Sequence, residues 1–285
     1  MKPARPFTSV FPKQAARPNM SILSRFGALT LAAFAAAVCA APASAQDAQK
    51  EPRRTRVGLG AQIVPSYPGS DSFSIRPLVD VARARGDTPF EFEAPDESFG
   101  FPLLRGGGFA FGPAVNFEGS RTAKDVGAAV PKVGATFEAG AFAQFAFSDA
   151  FRVRAEVRKG LGGHEGVIAN IGADYVARDA DKWLLSVGPR VTIADGKYNR
   201  AYFSVRPEDS APSGLPAFAA DGGIQAVGAT AGFIAQITPR WGIYSYAKYD
   251  RLVGDPADSP IVRQHGSRDQ FSGGLALTYT FGRGL

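Results

Sequence analysis

Residues Asp269–Phe281 read DQFSGGLALTYTF, and the spacing inside this stretch decides the fold class. Every second residue from Phe271 gives Phe271, Gly273, Leu275, Leu277, Tyr279 and Phe281; between them stand Gln270, Ser272, Gly274, Ala276, Thr278 and Thr280. A period of two marks a β-strand, whose successive side chains point to opposite faces. One face here is apolar, the other small and polar. In a soluble sandwich the apolar face meets a second sheet; in a membrane barrel it meets lipid, and the polar face lines the interior.

The alternation recurs along the chain. In FRVRAEVRK, Phe151, Val153, Ala155 and Val157 oppose Arg152, Arg154, Glu156 and Arg158. Val133, Ala135, Phe137, Ala139, Ala141, Ala143, Phe145 and Phe147 form one apolar row, opposed by Lys132, Thr136, Glu138 and Gln144. Val57–Ile63 and Trp183–Ile193 alternate likewise, and further strands are expected near 73–84, 89–103, 107–119, 165–178, 198–206, 223–237 and 240–251. The segment 89–103, with Pro95 and Pro102, is the least regular and also reads as two short strands. A tilted membrane strand needs about 9–11 residues, whereas globular strands average about 5–6. Strands this long, without intervening helices, give an all-β chain: a transmembrane antiparallel β-barrel of about 12 strands, within a range of roughly 10–14. In WGIYSYAKY, Trp241 and Tyr249 sit near opposite ends of one outward row, as interfacial aromatics do.

The inward rows carry both signs of charge: Arg76, Asp80, Glu118, Glu138, Arg152, Arg154, Glu156, Arg158, Asp174, Arg190 and Lys248. Arg152, Arg154 and Arg158 would select anions if one sign dominated a constriction. The mixed signs nearby, Glu138, Glu156 and Asp174 against these arginines and Arg190, favour mutual pairing that plugs a narrow barrel.

The chain has 285 residues, with 32 Lys and Arg against 26 Asp and Glu. Five of the basic residues (Lys2, Arg5, Lys13, Arg17, Arg25) precede the first acid at Asp47; without them 27 face 26, and a formal charge of +6 falls to +1. The high pI therefore belongs to the leader and gives no case for a nucleic-acid partner. From Met20 the chain has a basic start at Arg25, an apolar core over Ala28–Ala40 and Ala43-Ser44-Ala45 before a cleavage point, the pattern of a secretory signal peptide cut after Ala45. Residues 1–45 are thus read as signal peptide with an N-terminal extension, 46–55 as a short periplasmic lead-in and 56–285 as the barrel. The only cysteine, Cys39, lies inside the signal, so the mature chain has neither disulfide nor thiolate chemistry.

Counting strands back from a periplasmic C-terminus places the connections 207–222 and 252–268 outside and the Thr238–Arg240 turn inside. The same parity makes SRTAKDVGAAVP (120–131) periplasmic, with Arg121, Lys124 and Asp125 as candidate partner contacts. His164 and His265 are too few and too far apart for a metal site, and each sits in a connection where a solvated histidine is the default. His265 shares its loop with Ser259 and Asp258, but no nucleophile motif supports hydrolysis. No catalytic residue, cofactor site or metal site is expected.

VGPRVTIADGKYNRAYFSV, SGLPAFAADGG, PRWGIYSYAKYDRLVGDPADSPIV and GSRDQFSGGLALTYTF, with PSYPGSD at 65–71, resemble the MipA/OmpV family of MltA-interacting outer-membrane proteins. Matching positions include Tyr67, Gly69, Asp71, Gly188, Asp195, Tyr198, Phe203, Gly214, Trp241, Arg251, Asp255, Ser259 and Phe281; Ser204 and Pro256 depart from the family pattern, and Gly282–Leu285 follow the terminal aromatic. The resemblance implies a cell outer membrane protein in contact with lipid. It also implies a non-enzymatic scaffold between a lytic transglycosylase and a penicillin-binding murein synthase. Alternatives are a narrow channel for small solutes, or an adhesin or osmotic-response protein.

Overall fold

The computed structural model describes residues 51–282. The expected signal peptide and cleavage point, Cys39 and the residues beyond Gly282 lie outside the described residues. β1 (Arg53–Pro65) and β2 (Phe73–Arg85) form a hairpin; β1 therefore takes in the last three residues of the expected lead-in. Two short strands, β3 (Phe99–Gly100) and β4 (Leu104–Gly106), precede β5 (Phe109–Glu118) and both pair with it. A one-turn helix, α1 (Ala123–Val126), leads to β6 (Thr136–Ser148), β7 (Phe151–Leu161), β8 (Val167–Asp179) and β9 (Trp183–Ala194). Helices α2 (Gly196–Phe203) and α3 (Pro207–Ser213) follow, then β10 (Gly223–Gln236) and β11 (Trp241–Leu252). α4 (Gly254–Asp258) and α5 (Pro260–His265) lead to the last strand, β12 (Asp269–Phe281). All twelve strands belong to one antiparallel sheet, in the order β2-β1-β12-β11-β10-β9-β8-β7-β6-β5-β3 with β4 off this path on β5, curled into a barrel. Among the described residues no helix is long and apolar enough to cross a membrane.

The alternation read from the sequence is the alternation of exposure. Along β7 each odd-numbered residue from Phe151 to Leu161 is exposed and each even-numbered one buried. Ile75, Val79, Leu59, Leu275, Leu277, Val157 and Phe147 all lie open on the outer surface. Such a continuous apolar exterior has no place in water and matches a hydrocarbon belt. Aromatics gather at both its ends, Trp241, Tyr279 and Phe281 in edge contact at one and Tyr249 against Phe271 at the other.

The two ends differ in build. Tight turns join β4–β5, β6–β7, β8–β9 and β10–β11 at the end where β1 begins and β12 finishes; at the other end stand the connections 119–135, 195–222 and 253–268. The loop 119–135 therefore shares an end with 207–222 and 252–268, contrary to the parity expectation. The cause is the segment 198–206, counted as a crossing between 120–131 and the C-terminus but folded as α2 and the turn after it, so one fewer strand separates the two. The stretch 89–98 makes no ladder either, and β3 and β4 therefore run in the same direction as β2. Asp195 caps α2 by accepting from the Tyr198 amide at 2.8 Å, and Tyr198 and Tyr202, four residues apart, pack with ring centroids 5.0 Å apart.

The long connections fold into a lid over their end. Arg121, only 1% exposed, donates from its guanidinium to the carbonyls of Tyr202 (2.9 Å), Pro131 (2.8 Å) and Ala201 (3.2 Å), tying 119–135 to α2. Ser259 Oγ donates to the Phe203 carbonyl at 2.6 Å. Gln270 accepts from the Gly69 amide and donates to the Ser70 carbonyl, both at 3.0 Å, pinning the β1–β2 turn beneath α5. Gly69 has φ +90°, and a Cβ there would stand 2.8 Å from Val262 Cγ2, so both backbone and space require glycine.

Replacing Arg121 with alanine strands three carbonyls, each buried unpaired group costing about 1–3 kcal/mol. Limited proteolysis within 119–135 and 196–222 is expected to quicken by about tenfold or more, while the barrel keeps its heat-modifiable migration on gels.

Candidate functional site

The interior of the barrel is the candidate site, and its walls explain why it is not simply wet. β7 projects Arg152, Arg154, Glu156 and Arg158 inward on successive even positions, each under a tenth exposed. Across the ladder, Arg158 Nε meets Glu138 of β6 at 2.8 Å and its Nη2 meets Asn170 of β8 at 3.0 Å; Arg158 also pairs with Glu156. Arg154 reaches Glu156 at 3.2 Å and lies with its guanidinium carbon 3.7 Å from the Phe142 ring centroid. Asp174 of β8 joins Arg152 (2.9 Å) to Arg190 of β9 (2.7 Å). These seven of the inward charges named from the sequence therefore face one interior in two linked groups, Arg190–Asp174–Arg152 and Arg154–Glu156–Arg158–Glu138, between which Gln144 lies within 3.5 Å of Arg152 and 3.3 Å of Arg154. Removing charges from water costs several kcal/mol each unless a partner replaces the lost hydration, and here opposite charges and hydrogen bonds do so.

The wall carries more cation than it balances, and the surplus is met by residues 86–98. This strap leaves the end of β2 at the tight-turn end and climbs inside the barrel to β3. Arg54 and Arg56 lie 5.0 Å over the Phe90 ring, and Arg178 donates to the Phe90 carbonyl at 2.9 Å. Arg152 sits 4.4 Å over the Phe92 ring. Glu97 pairs with Arg152 and, at 3.7 Å, with Arg154. Asp96 meets Arg190 at 3.0 Å, Lys248 at 3.2 Å and the Thr230 hydroxyl at 3.0 Å. Ser98 donates to Glu156 at 2.7 Å. The strap thus bridges β1, β7, β8, β9, β10 and β11. None of its acids was singled out from the sequence.

His164 is the second group the sequence reading misplaced. It is 4% exposed, not solvated. Gly160 makes the room, since a Cβ there would lie 2.4 Å from the imidazole Cε1. The Gly166 amide donates to His164 Nδ1 at 3.0 Å, so Nε2 carries the proton and donates to Glu138 at 3.1 Å. The ring packs on Tyr198 with centroids 4.6 Å apart, locking the lid onto the top of the lumen network. Both imidazole nitrogens are committed, leaving none to act on a nucleophile. The other imagined constellation is not assembled either: Ser259 is wholly buried and bonded to the Phe203 carbonyl, and Asp258 pairs with Arg268 at 3.0 Å. No cluster of metal-ligating side chains occurs among the described residues.

The candidate partner contacts Arg121, Lys124 and Asp125 do not form one accessible surface. Arg121 is buried in the lid, where burial lowers its pKa from the ordinary value. Asp125 closes a capping box with Thr122, whose backbone amide and hydroxyl hold the carboxyl below the usual range. Lys124 alone is exposed without such a role. On α2, burial pushes the phenols of Tyr198 and Tyr202 upward, so both stay neutral.

The pair Asp96→Asn and Glu97→Gln removes the four ion pairs to Arg152, Arg154, Arg190 and Lys248. The strap is expected to come free, with new protease cleavage inside 88–97 and an intact wall. Glu91→Gln breaks only the exposed pair with Arg105, worth about 0–1 kcal/mol, and should leave the strap protected.

Comparison with known proteins places this geometry in a family. No curated protein matches the chain. The solved structures similar to the chain include the following three, all at low identity. The outer membrane channel DcaP of Acinetobacter baumannii has a TM-score of 0.34 and 8% identity, over 81% of this chain and 96% of that one. The β domain of the Bordetella autotransporter BrkA has a TM-score of 0.33 and 12% identity, over 81% and 99%. The toluene transporter TodX of P. putida has a TM-score of 0.30 and 9% identity, over 83% and 90%. The family model described as MltA-interacting protein MipA matches residues 57–281, from the first apolar residues of β1 to the last residue of β12. With its whole barrel matched, the chain belongs to the MipA family.

Proposed function

We propose that this chain is seated in the outer membrane and works there as a non-enzymatic interaction protein, holding a lytic transglycosylase of the kind the family is named for and, through it, a murein synthase. One observation carries the reading: the interior is occupied by its own side chains and strap. A barrel built to pass solutes leaves its lining side chains in water, whereas Glu138 and Asp174 here are 1% and 4% exposed. What the molecule offers to others is then its outer belt and its two ends. Short turns face the periplasm in outer-membrane barrels, so the partner surface belongs at the tight-turn end, among 148–151, 179–183 and 237–240, and not on 120–131. Asp149, Lys182 and Arg240 are exposed there.

The charged interior supports a second reading, a narrow channel for small solutes, which requires the strap to leave. Planar-bilayer recording separates the two. The wild-type protein is expected to give no reproducible current steps, and the Asp96→Asn/Glu97→Gln protein small ones. Steps in the wild type that vanish in Arg154→Gln/Arg158→Gln would favour the channel.

With purified MltA-type lytic transglycosylase, capture by the detergent-solubilised barrel is expected to fall about tenfold in Lys182→Glu/Arg240→Glu, a loss of about 1.4 kcal/mol. The Lys124→Glu protein should bind as the wild type does. The reverse pattern would return the contact to the lid.

A further inference from the structure

The runs EPRRTR (51–56) and ARAR (82–85) bring a dense group of arginines to the tight-turn end of β1 and β2. The strand period divides them. Arg54 and Arg56 point inward, and each has an acid: Asp181 at 2.8 Å and Asp80 at 2.9 Å. Arg53 and Arg85 point outward. They are direct cross-strand partners on the row that continues through Thr55, Val57 and Leu59 on β1 and through Arg83, Val81 and Val79 on β2. Both are exposed, and neither has an ion-pair partner among the described residues. Like charges directly opposite each other on one face of a sheet repel, so this pair is a liability unless an anion sits between the two guanidiniums. No acid stands on the outward rows of β1 or β2, and on β12 the only one is Asp269, at the far end and paired with Arg251 at 2.6 Å.

Position says which anion. Four residues separate Val81 from Arg85, about 13 Å along a strand, which carries the guanidiniums off the apolar belt to the depth of lipid headgroups. Phe281 faces Thr55 on the neighbouring strand, and Arg240 donates to the Tyr279 hydroxyl at 3.1 Å, so aromatics mark the same level. Guanidinium binds phosphate through two parallel N–H···O bonds, and long basic side chains at this depth turn their heads toward the interface. We infer that Arg53 and Arg85 form a binding site for the phosphate of an anionic glycerophospholipid in the leaflet at the tight-turn end. The site rests on the membrane placement proposed above.

The test uses the full mature chain in neutral detergent, with native mass spectrometry after addition of phosphatidylglycerol or phosphatidylcholine. The wild type is expected to retain phosphatidylglycerol about tenfold over phosphatidylcholine. Arg53→Gln/Arg85→Gln should lose that preference, and Arg251→Gln, at the other end, should keep it. Equal retention of both lipids by the wild type, or an undiminished preference in the double variant, overturns the site. Inorganic phosphate that raises the melting temperature as much as phosphatidylglycerol overturns the lipid as its ligand. Should the glutamine variant not fold, Arg53→Lys/Arg85→Lys decides: a reduced preference supports bidentate capture, and an unchanged one overturns it. Failure of the membrane placement looks different, as a protein that stays dispersed without detergent.

Discussion

Matching charge inside a low-dielectric tube is the constraint on which the rest of this structure depends. An apolar exterior obliges the alternate residues of every strand to face inward, and in this sequence many of those residues are charged. A wide barrel would leave them to water. This one packs Glu138, Arg152, Arg154, Glu156, Arg158, Asp174 and Arg190 below a tenth exposed, so each of these guanidiniums must find a carboxylate, a carbonyl or an aromatic face. The wall alone does not supply enough. Asp96 and Glu97, on the strap, complete the set by reaching Arg190, Lys248, Arg152 and Arg154.

That requirement shapes the topology. Because 86–98 goes through the interior rather than along the wall, β2 and β3 bound the sheet side by side in the same direction, with no ladder recorded between them among the described residues. Arg76 on β2 reaches toward Glu118 on β5 at 3.9 Å across this seam. The lid follows from the same arrangement. His164 belongs at once to the lumen network, through Glu138, and to the lid, through Tyr198, so the covered end and the filled interior form one hydrogen-bonded unit.

Much of this was legible in the sequence, and the failures have physical causes. The wall strands are readable because a surface apolar on one side and charged on the other repeats every two residues, as in β7. PFEFEAP at 89–95 repeats every two residues as well, yet it is no strand. Its aromatics, Phe90 and Phe92, lie under wall arginines, and Glu91 pairs with Arg105 of β4 at the surface, a pattern that periodicity alone cannot separate from a ladder. The helix at 196–203 was missed although Asp195 and the tyrosine spacing of four both signalled it. His164 was misread because glycines around a histidine look like a mobile loop, whereas here their missing side chains are the space it fills. The lid contacts of Arg121 join segments about eighty residues apart and leave no local trace.

The seam has a consequence for assembly. The strap hangs from the two free margins of the sheet and passes through no closed ring, so the polypeptide never has to be threaded. The tube can roll up around it, drawing the acids in as the margins approach, and the order of events is set by geometry: the first and last strands must zip together, residue 55 against residue 281, across nearly the whole length of the described residues. Such a distant encounter is entropically slow, which leaves the interior open to solvent until late and lets every buried ion shed its water shell only when its counter-ion is already at hand.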